Sequence, residues 1–299
     1  MAKTENEPGA AAAKLAELNL NVSEDIKFNL DSMFPKLSGW GAKGEIKEKV
    51  RIINNVEPFL RDILMENEVV RYIAKGVQYK FSEQYFLGIW AQTINQTVFV
   101  LTNLRLLMVH STSKGVPKNV YWLIYYSEID KFKGSALSNV RLVLRDKQKF
   151  TFLGFKGTDR KSMPQIFEEA LDRYDAYGFE PEVTQSRENL CCECLTVVPK
   201  DTYECKKCQQ EFWRPGQIAV RSLIFPSWGD FIMKHTLLAF MELVGYIFTW
   251  IIFGVIILDE DTENRLITSV FLLLFLAAEH AVDAALTYYI AKKGLTPKG

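Results

Sequence analysis

A chain of 299 residues has room for one or two domains plus accessory segments. Its 36 Lys and Arg are balanced by 36 Asp and Glu, so whole-chain charge gives no bias toward nucleic acid, whose phosphates need net positive charge. Aromatic residues make up 13% of the chain, a content suited to strands and to a membrane interface.

Residues 1–20 read as a disordered tail. The run Ala10 to Ala13 is ended by Lys14 and is too short for the apolar core of a signal peptide. Residues 21–65 read as a helical segment. Phe28, Leu30, Met33, Phe34 and Leu37 can dock on a domain or a partner, and Glu45 to Met65 has helical spacing with Ile46, Val50, Ile53 and Leu60 apolar. Pro58 is expected to break or kink that helix, because proline removes one backbone donor.

Residues 66–177 are strand-rich and close with one helix. Phe81 to Trp90, Thr97 to His110, Val120 to Tyr126, Val140 to Leu144 and Phe150 to Phe155 carry β-branched and aromatic runs. Ser113-Lys114-Gly115 and Arg145-Asp146-Lys147 mark hairpin turns. Thr158 or Asp159 can cap a helix through Tyr174, with Ile166, Phe167, Ala170 and Leu171 as its apolar stripe. Meandering strands closed by an amphipathic helix predict a small split barrel plugged at one end.

Thr97 to Leu107, reading TVFVLTNLRLL, resembles the Leu-Thr-Asn-x-Arg strand of bacterial PH-like and GRAM-like domains. Tyr125-Tyr126-Ser127-Glu128-Ile129-Asp130 resembles their Tyr-x-x-Ile strand, and Phe150-Thr151-Phe152 with the closing helix completes the pattern. The resemblance covers roughly 110 residues. It implies a PH-like barrel that docks lipid or protein and does no catalysis, and it fixes no ligand. Lys114, Lys118, Lys131, Lys133, Arg145, Lys147 and Lys149 cluster near predicted loops. They can face anionic lipid at about 1 kcal/mol each, or simply solvate the edges of strands.

All five cysteines fall within eighteen residues, as Cys191-Cys192-x-Cys194 and Cys205-x-x-Cys208. Two Cys-x-x-Cys knuckles supply four thiolates that can converge on one Zn²⁺, with Cys191, Cys194, Cys205 and Cys208 as ligands and Cys192 left over. A hairpin is expected between the knuckles, turned by Pro199 and Asp201 and flanked by Val197, Val198 and Tyr203 as short strands. The alternatives are a redox pair or a disulfide module, but a redox Cys-x-x-Cys opens a helix in a βαβ setting that is missing here. Residues 188–214 resemble a short zinc ribbon with rubredoxin-like knuckles. A closed four-cysteine site is structural, because no coordination position is left for substrate. Thiol ligands favour a reducing compartment. Lys200, Lys206, Lys207 and Arg214 are offset by Glu188, Glu193, Asp201, Glu204 and Glu211, which speaks against a nucleic-acid ribbon.

Residues 215–236 have an interfacial composition, with Phe225, Trp228 and Phe231 beside Arg221 and Lys234. Pro226-Ser227-Trp228-Gly229 is similar to the Pro-Gly-x-Gly entry turn of small two-span membrane modules, with Ser227 in place of the first glycine. Residues 237–290 hold two apolar runs, Leu237 to Leu258 and Leu266 to Ile290, each long enough to cross a hydrocarbon core of ~30 Å as a helix. Arg214, Arg221 and Lys234 precede them, and Lys292, Lys293 and Lys298 follow within the tail 291–299. The segment Asp259 to Arg265 between them is acidic. The positive-inside rule then predicts a hairpin with both termini cytoplasmic; the resemblance to bacterial PH-like domains implies an integral protein of a bacterial inner membrane. Glu242, Glu279, His280 and Asp283 fall at similar depth, ~8–15 Å below the cytoplasmic interface, and form a predicted intramembrane polar cluster. Such a cluster can hold a proton, a cation or a lipid headgroup, bond helices together, or sit at the interface.

The expectation is therefore an α+β chain: a PH-like split barrel, a structural zinc ribbon and two transmembrane helices. No Gly-x-Ser-x-Gly or His-Glu-x-x-His occurs, and Gly157 to Ser162 has Arg160 where a phosphate loop needs glycine. His110 reads as a structural or solvated residue. The chain reads as a non-catalytic membrane adaptor that meets lipid and a protein partner or a second copy of itself. The alternative is an oligomeric transporter or channel module built on the intramembrane polar cluster.

Overall fold

The computed structural model describes residues 9–135, 139–177, 181–258 and 264–299. The chain divides into two compact units, Met1–Thr202 and Tyr203–Gly299.

The first unit is built on one antiparallel sheet. Three helices, α1 (Ala10–Glu17), α2 (Leu30–Met33) and α3 (Ala42–Ile63), precede β1 (Val70–Tyr79). Two short helices, α4 (Phe81–Leu87) and α5 (Ile89–Ile94), lead to β2 (Gln96–Thr102), β3 (Arg105–Ser111) and β4 (Pro117–Tyr125). Then come β5 (Ile129–Gly134), β6 (Asn139–Leu144), β7 (Lys149–Leu153), α6 (Gly157–Tyr177), β8 (Glu188–Leu190) and β9 (Val197–Val198). The strand order is β5-β6-β7-β1-β2-β3-β4-β8-β9. Among the described residues the sheet keeps free edges at β5 and β9, and no pairing closes it into a barrel.

Both faces of this sheet are covered, so its central strands are apolar throughout instead of alternating. Val98, Val100, Leu107, Val109 and Leu123 pack with Ile46, Val50, Ile53, Val56 and Leu60 of α3. Their neighbours Phe99, Leu101, Leu106, Met108, Trp122 and Ile124 pack on the other face with Met163, Ile166, Phe167 and Ala170 of α6. Successive side chains thus divide between two cores, as the strand period of two requires. In β1 that phase is reset. Val70 joins the α3 core and Tyr72 the α6 core although they are two apart, because the register slips by one residue between them. A bulge of one residue moves every following side chain to the other face.

Several expectations are corrected here. Residues 10–17 are not part of a tail: α1 buries Ala11 and Leu15 in the α3 core, and the Ala11 N–H donates to Asp31 Oδ1 at 3.2 Å. Residues 1–8 lie outside the described residues. Pro58 does not end α3, which runs on to Ile63 while Val56, Phe59 and Leu60 are buried around it. That burial outweighs one missing backbone bond. Phe81 to Trp90 is no strand. Gly88, at φ 53°, separates α4 from α5, and Phe81, Tyr85 and Ile89 recur every four residues on the outside. Their β-forming composition has no neighbouring strand to pack against.

In the second unit β10 (Phe212–Trp213) pairs with β11 (Thr296–Pro297). Between them lie α7 (Pro215–Ile224), α8 (Trp228–Ile232), α9 (Thr236–Leu258) and α10 (Arg265–Ala291). α7 packs along α10, burying Ile218 and Ser222. At 1.5 Å per residue α9 and α10 are about 35 and 40 Å long. They are long and apolar enough to cross a membrane, and only 6% of each apolar window is buried. A soluble core helix would show the opposite. The acidic segment 259–263 lies outside the described residues.

Candidate functional site

The cysteine segment is formed by two knuckles of the same design. In the first, the Cys191 N–H donates to the Thr196 carbonyl (2.9 Å) and the Leu195 N–H to the Cys191 carbonyl (3.1 Å). In the second, the Cys205 N–H donates to Gln210 (2.9 Å) and the Gln209 N–H to Cys205 (2.8 Å). Leu195 and Gln209, each just after the second cysteine of its knuckle, both take left-handed backbone conformations (φ 53° and 62°). Such φ values are uncommon for residues other than glycine and turn the chain sharply back. Each knuckle sits inside its own hairpin, the first between β8 and β9 and the second beside the Glu204–Glu211 bridge. The expected strand pairing between the knuckles is therefore replaced by pairing around each, and Asp201 (φ 60°) turns the link.

The four Sγ atoms of Cys191, Cys194, Cys205 and Cys208 lie within 4.8 Å of one another. A tetrahedral metal with thiolate bonds of about 2.3 Å holds its sulfurs about 3.8 Å apart, a separation inside that limit. The group can hold a metal ion, and its four soft donors suit zinc-class chemistry. Cys192 stands outside the group and packs, half-buried, against the α3 core.

The Leu-Thr-Asn-x-Arg strand is a structural device. Thr102 Oγ1 accepts the N–H groups of Leu104 and Arg105, both at 3.0 Å, and donates to Glu68 Oε1 at 2.7 Å. Asn103 Oδ1 accepts the Val69 N–H at 2.8 Å. Arg105 grips Glu68 through Nε (3.0 Å) and Nη2 (2.9 Å) and also donates to the Ile63 carbonyl (2.7 Å). The motif ties the β2–β3 turn to the approach of β1, wholly inside the protein.

A second feature has no single sequence signature. A cavity of about 70 Å³ opens between α3, β1 and the start of α6, lined among others by Lys36, Glu45, Glu48, Lys49, Lys156 and Asp159. Lys49 donates to the Met33 carbonyl (2.8 Å), lies 3.7 Å from Asp159 Oδ1 and stacks over the Tyr72 ring at 3.9 Å. Burial holds the Lys49 ammonium down at about 8, with Asp159 opposing the shift. The same burial, with Asp159, raises the Tyr72 hydroxyl above its ordinary value. Every lysine of this cleft has a carboxylate partner: Lys36 with Glu45, Lys75 and Lys156 with Glu48, Lys49 with Asp159. An anionic ligand would have to compete with those partners.

The basic residues singled out from the sequence are scattered. Lys131 and Lys133 are exposed on the edge strand β5, where like charges discourage further pairing. Lys114 sits exposed in the β3–β4 turn, and Lys118 is half-buried on β4, its ammonium lowered by burial. Arg221 stacks on Trp213 at 4.3 Å, and Lys234 is exposed. On the outside of α4 and α5, Phe81, Tyr85 and Ile89 are each more than 70% exposed, and Phe86 is 56% exposed. Sequence reading placed those aromatics in a strand and so missed this surface; their four-residue spacing was the available signal.

The predicted polar cluster is divided differently by the structure. Glu242 and Asp283 come together with Asp230, a residue outside both apolar runs, their oxygens within 4.8 Å of one another. His280 turns instead to the Leu223 carbonyl (2.8 Å) and the Tyr246 hydroxyl (3.3 Å). Glu279 is half-exposed and is not part of the group.

No protein-family model matches the chain, and no curated protein matches it. Among solved structures, it is similar to the C-terminal domain of an unknown protein from Leishmania infantum, at 10% identity over 40% of this chain and 92% of that one, with a TM-score of 0.26. It is also similar to the Linker-DH/PH domains of p115-RhoGEF, at 6% identity over 47% of this chain and 44% of that one, with a TM-score of 0.27. The chain thus spans less than half of the latter. At that level neither structure identifies a ligand, partner or activity, and the fold description rests on the strand pairing.

Proposed function

We propose that the protein is a non-catalytic membrane-anchored adaptor, with α9 and α10 crossing the bilayer and the sheet unit docking on lipid headgroups or a protein partner. The observation that carries this reading is that only 6% of the apolar window of each long helix is buried. Such helices need a non-aqueous surrounding. Zn²⁺ on Cys191, Cys194, Cys205 and Cys208 is the structural metal of this reading. Thiols suited to a reducing compartment and the basic flanks Arg214, Arg221, Lys292 and Lys293 support a topology with both ends of the apolar pair on the cytoplasmic side. A sheet unit tethered to a bilayer meets its surface at high effective concentration. The aromatic outside of α4 and α5 then has the composition of an interfacial contact.

The test is hydrogen exchange on the full chain in detergent and in nanodiscs with neutral or anionic lipid. Protection of 81–94 in nanodiscs supports lipid docking. Protection only when a copurifying protein is present supports the protein-partner form. Exchange identical under all conditions sinks docking through this surface. Ion or proton flux in proteoliposomes, lost on Glu242→Gln, would instead favour the transporter reading.

A further inference from the structure

We propose that Asp230, Glu242 and Asp283, with the hydroxyl of Ser227, form an oxygen-donor site for a divalent cation of the magnesium, calcium or manganese class. The site lies wholly within the second unit, stands whichever reading of the apolar pair holds, and shares no residue with the four cysteines.

Three elements bring the carboxylates together: α8 supplies Asp230, α9 supplies Glu242 and α10 supplies Asp283. The approach of α8 to α10 depends on Gly229, since a Cβ there would stand 2.3 Å from Thr287 Cγ2 and 2.5 Å from Ser222 Oγ. The Gly229 N–H donates to Ser222 Oγ, which also bonds Thr287 Oγ1, both at 3.1 Å. Thr287 Oγ1 in turn reaches Asp283 Oδ1 at 3.4 Å, and the Ser227 N–H reaches Asp283 Oδ2 at 3.2 Å. His235 Nδ1 holds Asp230 Oδ1 at 2.9 Å, with both side chains 3% exposed. Outer groups that orient the ligating carboxylates are a usual part of a metal site.

What these contacts leave over points to a ligand. Ser227 is fully buried with its hydroxyl turned toward Glu242, and it makes no hydrogen bond of 3.5 Å or less. Glu242 Oε2 is also buried and unpartnered. Buried polar atoms of this kind ordinarily have partners. Ser227 moreover holds a left-handed conformation (φ 73°) that glycine would adopt without strain. Among the described residues His235 is the only basic side chain bonded to the three acids, and no hydrogen bond joins any two of them. A shared proton would draw a pair of carboxylates into a hydrogen bond. A cation instead spaces them: with metal–oxygen bonds of about 2.1–2.4 Å, neighbouring ligands lie about 3.0–3.4 Å apart and opposite ones about 4.2–4.8 Å, so three oxygens within 4.8 Å of one another can share one ion. Carboxylates and a hydroxyl are hard donors, so zinc and copper are poor candidates.

The test uses the full chain in mild detergent, with Mn²⁺ as probe and free Mn²⁺ counted by electron paramagnetic resonance. One Mn²⁺ should bind per chain, be displaced by Ca²⁺ or Mg²⁺, and persist in Cys205→Ser. Glu242→Gln and Asp283→Asn should weaken binding at least about tenfold. Ser227→Gly suits the backbone, so it keeps the fold while removing one ligand, and should weaken binding severalfold. Absence of saturable Mn²⁺ binding to the wild-type chain at about 1 mM overturns the proposal, as does unchanged affinity in all three variants.

Discussion

In the sheet unit Phe99, Leu101, Leu106 and Val100 are at most 2% exposed, whereas in the helical unit Trp250, Ile251, Leu273 and Leu274 are each about half exposed or more. Apolar side chains go to the side away from water. In the proposed reading the reversal reflects a bilayer around α9 and α10 and water around the sheet unit. Charged groups differ too. Glu68 and Arg105 are buried in the sheet unit with their charges paired. The helical unit gathers Asp230, Glu242 and Asp283 with buried oxygens left over. Both units keep some buried polar atoms without a hydrogen bond; in the helical unit the two such atoms, Ser227 Oγ and Glu242 Oε2, belong to or adjoin the carboxylate group.

The largest effect belongs to the segment between these two patterns. If the four cysteines hold the proposed structural zinc, a chelator or Cys205→Ser should abolish protection of the amides in 188–213, because such a site contributes on the order of 10 kcal/mol to local folding. Hydrogen exchange of that segment with and without chelator measures it. Unchanged protection would mean that the knuckles hold without metal.

Next comes Glu68→Gln, which leaves the Arg105 guanidinium buried opposite a neutral amide. Stranding one partner of a buried pair costs about 3–5 kcal/mol. Denaturant unfolding should show the loss in the sheet unit, with exchange across α7 and α10 unaltered. Gly229→Ala is the matching break in the helical unit. Overpacking against Thr287 and Ser222 costs about 1–3 kcal/mol, read as faster exchange in α8 and the end of α10. If either variant melted both units equally, the contrast between them would fail.

Much of this was legible in the sequence wherever the signal was local. The apolar runs at Leu237 and Leu266 became α9 and α10 because an all-round apolar run needs no partner to define it. The turn chemistry of Leu-Thr-Asn-x-Arg became the β2–β3 turn because Thr102 bonds residues two and three positions on. Long-range features were invisible. Lys49, Tyr72 and Asp159 meet across more than a hundred residues, and the bulge in β1 has no spacing signature. Phe81 to Trp90 misled because aromatic content favours strands only where a neighbouring strand packs on it. Asp230 escaped notice because it precedes the apolar run that contributes Glu242.

The smallest effect is a pH dependence that belongs to the sheet unit. Lys49 titrates at about 8 in the folded protein against an ordinary 10.5, because burial disfavours its charge. Between those values the unfolded chain binds more protons than the folded one, so stability should rise with pH through that window. Below about 8 both states carry the proton and this contribution is flat, with the cost of the buried charge in place. Tyr72, Tyr121 and Tyr126 act oppositely: burial raises all three hydroxyls, so above about 10 the unfolded tyrosines lose protons that the folded ones keep. Stability should therefore climb from about pH 8, pass a maximum near 10 and fall. Lys49→Met should remove most of the climb, leaving the part that comes from buried Lys118, and should leave the fall, as measured by denaturant midpoints at each pH. An undiminished climb in Lys49→Met would move its origin to another group and leave the α3 cleft as a permanently charged one.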